Sequence, residues 1–471
     1  MHPSEPESEP TGVFRALAAL ALTTVVAGLG TSIANVALPA AARHFDVPSS
    51  QVQWSTLAYL LAVTLLIVPI GKIADAVGRV RVLLGGIALF SVAAAVAGLA
   101  PSLTVLIVGR AFQGVGGAAM SALTVALVRQ SVPPGKVGRA MGTMGSSMAA
   151  GMALGPAFGG FLVTQFGWRA VFFVMAALGV VSGLGVLADL ARFRQPGLAR
   201  GRVRLDWIGL ALLAVGAGSY AMALTGPVST TARLALLVLA AVVAVVFVVV
   251  ERRLADPLVD VHELVQLKVL PEFGLALLGS LIMMVFTVVP PFFLVEGLGL
   301  ADSQMGLVMA IAPLLGMVAG VPAGGLVDRF GSRRITAAGL SLMTLASVLL
   351  GTLPAVLGVA GFVMGAVLLT PGNQLFMAAN NTSVMRRAPG AHQGRVAGML
   401  NLARNLGSVG GTALGSMLYD SAVAGADGTG AALVDAAFSG QQWAFAASAA
   451  AGAVALSIWG VWVRRREVPQ A

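Results

Sequence analysis

The sequence has no cysteine among its 471 residues. Disulfides, zinc–thiolate sites, iron–sulfur clusters and thiol nucleophiles are thereby excluded. Histidine is scarce: His2, His44, His262 and His392 stand alone, and none pairs with another at metal-ligand spacing. His262-Glu263 opens like a zinc-protease motif, but no second histidine follows at the required offset. Charge is sparse as well. Only 10% of the residues are charged against 58% hydrophobic, and mean hydropathy is +0.91. A soluble globular chain is about one quarter charged, and this chain has too few charges to cover a core of its size. No GxxxxGK[ST] phosphate loop occurs, so nothing supports ATP-driven chemistry. The GVGGAA run at 114–119 lies inside an apolar segment and follows no strand, which removes the dinucleotide-binding reading. The alternating pattern of a membrane β-barrel is missing too.

What is present is a series of long apolar runs. One bilayer crossing takes about 20 residues. The runs predict an all-α integral membrane protein with fourteen transmembrane helices, over 14–38, 52–74, 82–100, 103–128, 138–162, 169–190, 207–224, 232–250, 271–295, 304–327, 335–353, 355–379, 396–418 and 440–463. An even count puts both termini on one side. Of the 29 Lys and Arg, Arg43, Arg169 and Arg233 fall on one side, and Arg110 and Arg404 fall inside spans. The rest gather in the tails and loops of the other side, as in Lys72, Arg79 and Arg81, or Arg329, Arg333 and Arg334. By the positive-inside rule, both termini are expected in the cytoplasm. The net charge of +10 is then a topology signal, and no nucleic-acid partner is expected. Residues 1–13 carry Glu5, Glu7 and Glu9, unlike a signal peptide, and their composition predicts a disordered tail. Segment 257–268 sets Leu258, Val261, Leu264 and Val265 on one face, which predicts a short interfacial helix. The bias toward Ala, Gly, Val and Arg suggests a GC-rich bacterial genome, and hence the bacterial cytoplasmic (inner) membrane.

The chain also repeats itself. GKIADAVGRVR at 71–81 aligns with GGLVDRFGSRR at 324–334, matching Gly71, Asp75 and Gly78 to Gly324, Asp328 and Gly331. Further on, Gly151, Gly155 and Gly159 match Gly407, Gly411 and Gly415. Spans 1–6 thus correspond to spans 9–14, and spans 7 and 8 have no counterpart. The expected organisation is a tail at 1–13, a six-helix half at 14–190, and an insert at 191–270 holding a cytoplasmic loop, the span 7–8 hairpin and the interfacial segment. A second six-helix half at 271–463 and a tail at 464–471 complete it. Paired halves of this kind hold a substrate at midplane between them.

At these residues the chain resembles the major facilitator superfamily, and the central hairpin points to its fourteen-span drug:proton antiporter branch. GKIADAVGRVR resembles the family's loop 2–3 signature, with Gly71, Asp75, Gly78 and Arg79 in place. LIVGRAFQGVGGA at 106–118 resembles the span-4 signature, with Arg110 and Gln113. GSSMAAGMALGPAFGG at 145–160 resembles the span-5 antiporter signature, with Gly151, Gly155, Pro156 and Gly159, and it favours export over import. NVALP at 35–39 resembles the end of the span-1 signature. The branch usually carries an aspartate in span 1, and this chain has Gly30 there. Asp75, Asp189, Asp328 and Glu272 lie at cytoplasmic span ends and Glu296 near the external end of span 9, so no acid occupies a span centre.

Arg110 and Arg404 lie at membrane depth, where a guanidinium must face protein or water and have a partner. Helix carbonyls would satisfy that need. The resemblance implies instead a coupling role for Arg110 with Gln113, and Arg404 and Glu296 are further coupling candidates. The resemblance also implies a conformational latch at Gly71, Asp75, Gly78 and Arg79, with Asp328 as its pseudo-equivalent. Gly151, Gly155 and Gly159 share one helix face, where missing side chains allow close approach, and Pro156 removes a helix hydrogen bond. Together they predict a tight, bent seam between the halves. Asn35, Gln53, Asn373 and Gln374 are candidates to line a cavity, and Met283, Phe286 and Met309 read as packing residues more than pocket residues. The expected protein is no enzyme and needs no cofactor or metal. It is expected to be a monomeric, proton-driven exporter of lipophilic small molecules. The alternative is a transporter of the same fold for an anionic or neutral metabolite or natural product. There, proton coupling would be altered or absent because Gly30 replaces the acid.

Overall fold

The computed structural model describes residues 10–131, 137–189, 206–225, 228–254, 266–387, 393–424 and 430–467. The acidic stretch 1–9, the loop 190–205 and most of the interfacial segment 257–268 lie outside the described residues. Long helices account for nearly all the rest: α1 Pro10–Phe45, α2 Trp54–Val77, α3 Arg79–Gly98, α4 Leu103–Ser131, α5 Val137–Phe166, α6 Trp168–Ala188, α7 Trp207–Thr225 and α8 Thr230–Glu251. They continue as α9 Leu270–Val288, α10 Asp302–Phe330, α11 Ser332–Thr352, α12 Val359–Met385, α13 Gln393–Val423 and α14 Ala431–Glu467. A short helix, Pro290–Glu296, prolongs α9, and another, Ser49–Val52, precedes α2.

Among the described residues, twelve helices are long and apolar enough to cross a membrane. The expected count of fourteen is not reproduced by that measure. The two helices outside the set are α5 and α13, at 30 and 31 residues. At about 1.5 Å per residue both are longer than a bilayer core. Both are rich in Gly and carry Ser within the helix, and α13 adds Asn and Arg, where the others are rich in Leu and Val. The ends also differ from expectation. α1 begins at Pro10, inside the stretch read as a tail, because proline suits the first helical position. α14 runs to Glu467, beyond the expected start of the C-terminal tail, since extending a helix costs far less than nucleating one.

The sequence repeat reappears as a repeat of packing. In the first half α1 packs on α5 and α6, α2 on α4, and α3 on α4 and α6. In the second half α9 packs on α13 and α14, α10 on α12, and α11 on α12 and α14. The halves meet through α5 against α10 and α2 against α13. α7 and α8 pack on each other, and α7 leans on α13 and α2. Outward apolar side chains such as Leu234, Val238 and Val245 leave α8 with little buried surface, as suits a helix bathed by lipid. At the matched junctions α2–α3 and α10–α11, Gly78 and Gly331 adopt φ of +116° and +81°. That backbone region strains other residues, so each motif glycine permits the sharp reversal.

Candidate functional site

The interior of the first half is organised around Arg110, which is fully buried at 0% exposure. Its Nε donates to the Ser55 carbonyl at 3.3 Å. Nη1 and Nη2 donate to the Gly30 carbonyl at 3.2 and 3.3 Å, and Nη1 also donates to Gln113 Oε1 at 2.8 Å. The guanidinium lies 4.3 Å from the centroid of the Tyr59 ring. Gln113 points its amide nitrogen toward Met175 Sδ at 3.5 Å. The charge is thus met by carbonyl dipoles and an aromatic face, and no carboxylate takes part. The space that a span-1 acid would use is filled. A Cβ added at Gly30 would lie 3.0 Å from the Phe90 ring and 3.1 Å from the Tyr59 hydroxyl.

The glycine face of α5 meets α1 in its own half, where a seam between halves was expected. A Cβ at Gly151 would fall 2.2 Å from the Val25 carbonyl oxygen, and one at Gly155 would fall 2.0 Å from Ser32 Oγ. At Gly159 it would fall 2.9 Å from Ile33. Helical periodicity decides which residues share a face and is silent on which neighbour that face meets. The second half repeats the device: Gly407 and Gly411 of α13 press on the Leu277 and Leu281 carbonyls of α9. Contact between halves falls to the next positions on α5. There the Pro156 carbonyl and Gly160 touch Gly306 of α10.

A cavity of about 140 Å³ lies between the halves. α1 supplies Ser32, Asn35 and Val36, and α5 supplies Met152 and Pro156. α9 and its extension supply Met283, Phe286, Thr287 and Pro291; α10 supplies Met309; α12 supplies Thr370, Asn373 and Gln374. Three of the four expected lining residues, Asn35, Asn373 and Gln374, therefore converge. The fourth, Gln53, is buried at the start of α2 and does not line it. Met283, Phe286 and Met309, read from sequence as packing, belong to its wall. Asn35 is held in place, donating to the Thr31 carbonyl at 3.2 Å and accepting from Thr56 Oγ1 at 2.9 Å. Gln374 Nε2 donates to the Gly316 carbonyl at 3.1 Å. The buried Thr370 hydroxyl has no partner. The lining contains no ionisable side chain. It is an apolar chamber with a few amide and hydroxyl groups, which suits a lipophilic guest with some hydrogen-bonding capacity.

The two ends of the chamber differ. At one end the halves are tied together. Arg43 pairs with Asp302 at 3.0 Å, and Asp420 accepts from Ser49 Oγ and from the Ser50 backbone N–H. Tyr419 Oη donates to Glu296 Oε2 at 2.8 Å just beside them. Burial pushes the Asp420 carboxyl up to about 6, the hydrogen bonds from Ser50 pull it down, and nearby Glu296 adds a smaller push. At the other end, which carries the cationic loops, Asp75 is 62% exposed and, among the described residues, pairs with Arg79 of its own loop at 2.8 Å. Asp328 is exposed as well. A Cβ at Gly71 or Gly324 would meet nothing within 4 Å. Among the described residues, ties between the halves are seen at the Arg43–Asp302 end, and at the basic end Asp75 and Asp328 are exposed and Gly71 and Gly324 face open space. Sequence reasoning missed Asp420, Asp302 and Tyr59, whose partners are distant in the chain. Arg404 lies away from the cavity, with its Nη2 donating to Asn381 Oδ1 and its Nη1 to Asn401 Oδ1 at 3.4 Å.

Two pseudo-symmetric helical halves with a chamber between them are the architecture of a membrane transporter, not of an enzyme. Residues 20–260, 198–412 and 272–471 each match the family model of the Major Facilitator Superfamily. The chain belongs to the major facilitator superfamily, and its similarity runs to that family's multidrug-efflux members. It is 33% identical over 419 residues to the multidrug resistance protein Stp of Mycobacterium tuberculosis (strain CDC 1551 / Oshkosh), covering 84% of this chain and 75% of that one. It is 28% identical over 400 residues to the riboflavin transporter RibZ of Clostridioides difficile (strain 630), covering 83% and 85%. Among solved structures, a bacterial homolog of the human lysosomal transporter Spinster superposes with a TM-score of 0.68 at 16% identity, over 97% of this chain and 98% of that one. That last likeness concerns the fold.

Proposed function

We propose that this chain is a secondary active exporter of lipophilic small molecules, working by alternating access and driven by proton antiport across the bacterial cytoplasmic membrane. In this reading all fourteen long helices cross, both termini are cytoplasmic, and the monomer is the working unit. The observation that carries the reading is the apolar chamber between the halves, tied at one end, with Asp75 and Asp328 exposed at the other. The resemblance of the span-5 segment to antiporter signatures and the similarity to Stp support export. The tied end is then external and the structure faces inward. Asp75, Arg79 and Asp328 form the latch of the outward-facing state, in which the basic end closes. Arg110 and Gln113 hold α1, α2 and α4 in register. Glu296 and Asp420, at the tied end, are the carboxylates that sense external protons, and Arg404, bonded to Asn381 and Asn401, is a further coupling candidate.

A second reading keeps the transporter and changes its cargo to an anionic or neutral metabolite or natural product, with proton coupling altered or absent. Its specific support is the chamber wall without a carboxylate and the filled space at Gly30. The similarity to RibZ fits a neutral cargo. The deciding experiment uses proteoliposomes loaded with matched cationic, neutral and anionic dyes under an imposed pH gradient. Gradient-driven movement of the cationic or neutral dye that stops when an ionophore collapses the gradient is the expected result. Movement of the anionic dye that persists without the gradient would favour the second reading and end the first.

A further inference from the structure

Most polar side chains in the chamber wall are already engaged by the protein. Ser32 Oγ donates to the Gly28 carbonyl at 3.3 Å, and Thr287 Oγ1 donates to the Met283 carbonyl at 2.8 Å. Asn35 and Gln374 are held by the bonds given above. Thr370 and Asn373 remain. Thr370 is 4% exposed, and its hydroxyl is buried without a partner. Thr64, Thr124, Thr287 and Thr382 each donate to the carbonyl four residues back in their helices, and Thr370 does not. A Cβ added at Gly316 of α10 would meet the Thr370 methyl at 3.4 Å, so the methyl branch takes the contact with α10. The Asn373 side chain makes no hydrogen bond among the described residues. Three positions apart on α12, the two share a helix face, and both line the chamber. A native fold retains an unpaired buried hydroxyl where something else completes it.

The chemistry of this pair identifies the class of guest. A hydroxyl supplies an O–H donor, and a primary amide supplies N–H donors beside a carbonyl acceptor. Neither is charged, and the described wall has no ionisable side chain. A charged guest would give up its hydration there without a counter-charge, a cost that a neutral guest escapes. The complement of a primary amide is a second amide edge, a carbonyl next to an N–H, which meets it with one hydrogen bond in each direction. The rest of the wall is apolar and includes Phe286, backed by the Phe362 ring at 5.9 Å and 7° between planes. Such a wall suits a flat ring. We infer that Thr370 and Asn373 select the cargo, and that the cargo is a neutral, planar, lipophilic ring system with a lactam- or imide-type edge. Asn373 pairs with that edge, and the Thr370 hydroxyl donates to the second lone pair of its carbonyl. This selection rests on the chamber's being the cargo site proposed above, and it needs neither a direction of transport nor proton coupling.

The test is equilibrium dialysis of the purified full chain in nanodiscs, with empty nanodiscs as background, against 2-quinolone, 1-methyl-2-quinolone and 1-methylquinolinium. The first carries the lactam edge, the second has lost its donor, and the third is a cation of similar size. 2-Quinolone is expected to bind one site at least about tenfold more tightly than the other two. Asn373→Leu should erase its advantage over 1-methyl-2-quinolone. Thr370→Val keeps the side-chain shape and removes the hydroxyl, so it should weaken both carbonyl-bearing probes about fivefold. The thermal midpoint of ligand-free Thr370→Val should equal or exceed that of the parent, because the hydroxyl it removes has no partner. A lower midpoint would make the hydroxyl structural and overturn the inference. Equal binding of the two quinolones, a preference for the cation, or no saturable site would overturn it as well. The gradient-driven dye assay separates the two levels. A parent that moves neutral dye without these preferences loses the inference and keeps the exporter reading. A parent that moves no dye but prefers 2-quinolone loses the exporter reading and keeps the site.

Discussion

A glycine at position 30 changes what an arginine at position 110 can do. With an acid there, the guanidinium would face a titrating partner, and its hold on α1 would vary with protonation. Here the Gly30 carbonyl accepts from both terminal nitrogens, and Tyr59 and Phe90 occupy the side-chain space. The contact is fixed, which points to Arg110 as a clamp joining α1, α2 and α4. Restoring the acid should therefore harm the protein. Gly30→Asp would overpack the Phe90 and Tyr59 contacts, at a cost of about 1–3 kcal/mol, seen as a lower thermal midpoint in detergent with no gain in proton-driven transport. Raised transport at unchanged stability would show a site poised for an acid. Arg110→Lys should also destabilise, by about 1.5–3 kcal/mol, because an ammonium cannot reproduce the fork that reaches Gly30, Ser55 and Gln113 together. The cost should appear as a lower midpoint even where substrate binding survives.

At the scale of helices, the glycines divide by whether this conformation uses them. Gly155 is pressed against Ser32, and a Cβ there would fall 2.0 Å from Ser32 Oγ. Gly155→Ala should lower the thermal midpoint and the transport rate together, and the double variant Gly155→Ala with Ser32→Gly should recover part of both. Gly71 is in open space, so Gly71→Ala should keep or raise stability, by up to about 1 kcal/mol from helix propensity alone. If the basic end must close during the cycle, the same change should slow transport. Normal transport in Gly71→Ala would remove the latch from the mechanism. The repeat was legible because matched loops carry matched glycines and charges at nearly constant spacing. Asn35, Asn373 and Gln374 were legible because amides inside apolar runs need a reason. The direction of the α5 glycine face was not, since spacing along a helix carries no record of its neighbour. Gln53 misled for a related reason: it is polar and near a span, but it marks the turn into α2 and lies off the cavity.

For the whole molecule the question is what decides which end is open. The ties at the closed end join residues far apart in the chain, Arg43 with Asp302 and Ser49 and Ser50 with Asp420, so no local pattern announces them. They also supply a pH dependence with a definite sign. In the closed state the Asp420 carboxyl sits near 6, raised chiefly by burial. Opening this end would hydrate it and return it toward the ordinary carboxylate value, about 3.9. The closed state thus holds the proton more tightly, so closure is disfavoured above pH 6 and increasingly favoured as the pH at this end falls from 6 toward 4. Glu296 lies close by, and Arg43 faces the same end. The chain's lack of cysteine allows a clean measurement: spin labels at His44→Cys and Ala301→Cys would report the separation of the halves at this end. The short-distance population should grow between pH 7.5 and pH 5. Asp420→Asn, a permanent mimic of the protonated form, should hold it at its acid value at both pH values. A distribution that ignores pH in the parent would refute this control by Asp420, and a shift that persists in Asp420→Asn would move it to Glu296. An exporter that closes outward on binding external protons would be primed to return to the inward-facing state for its next cargo.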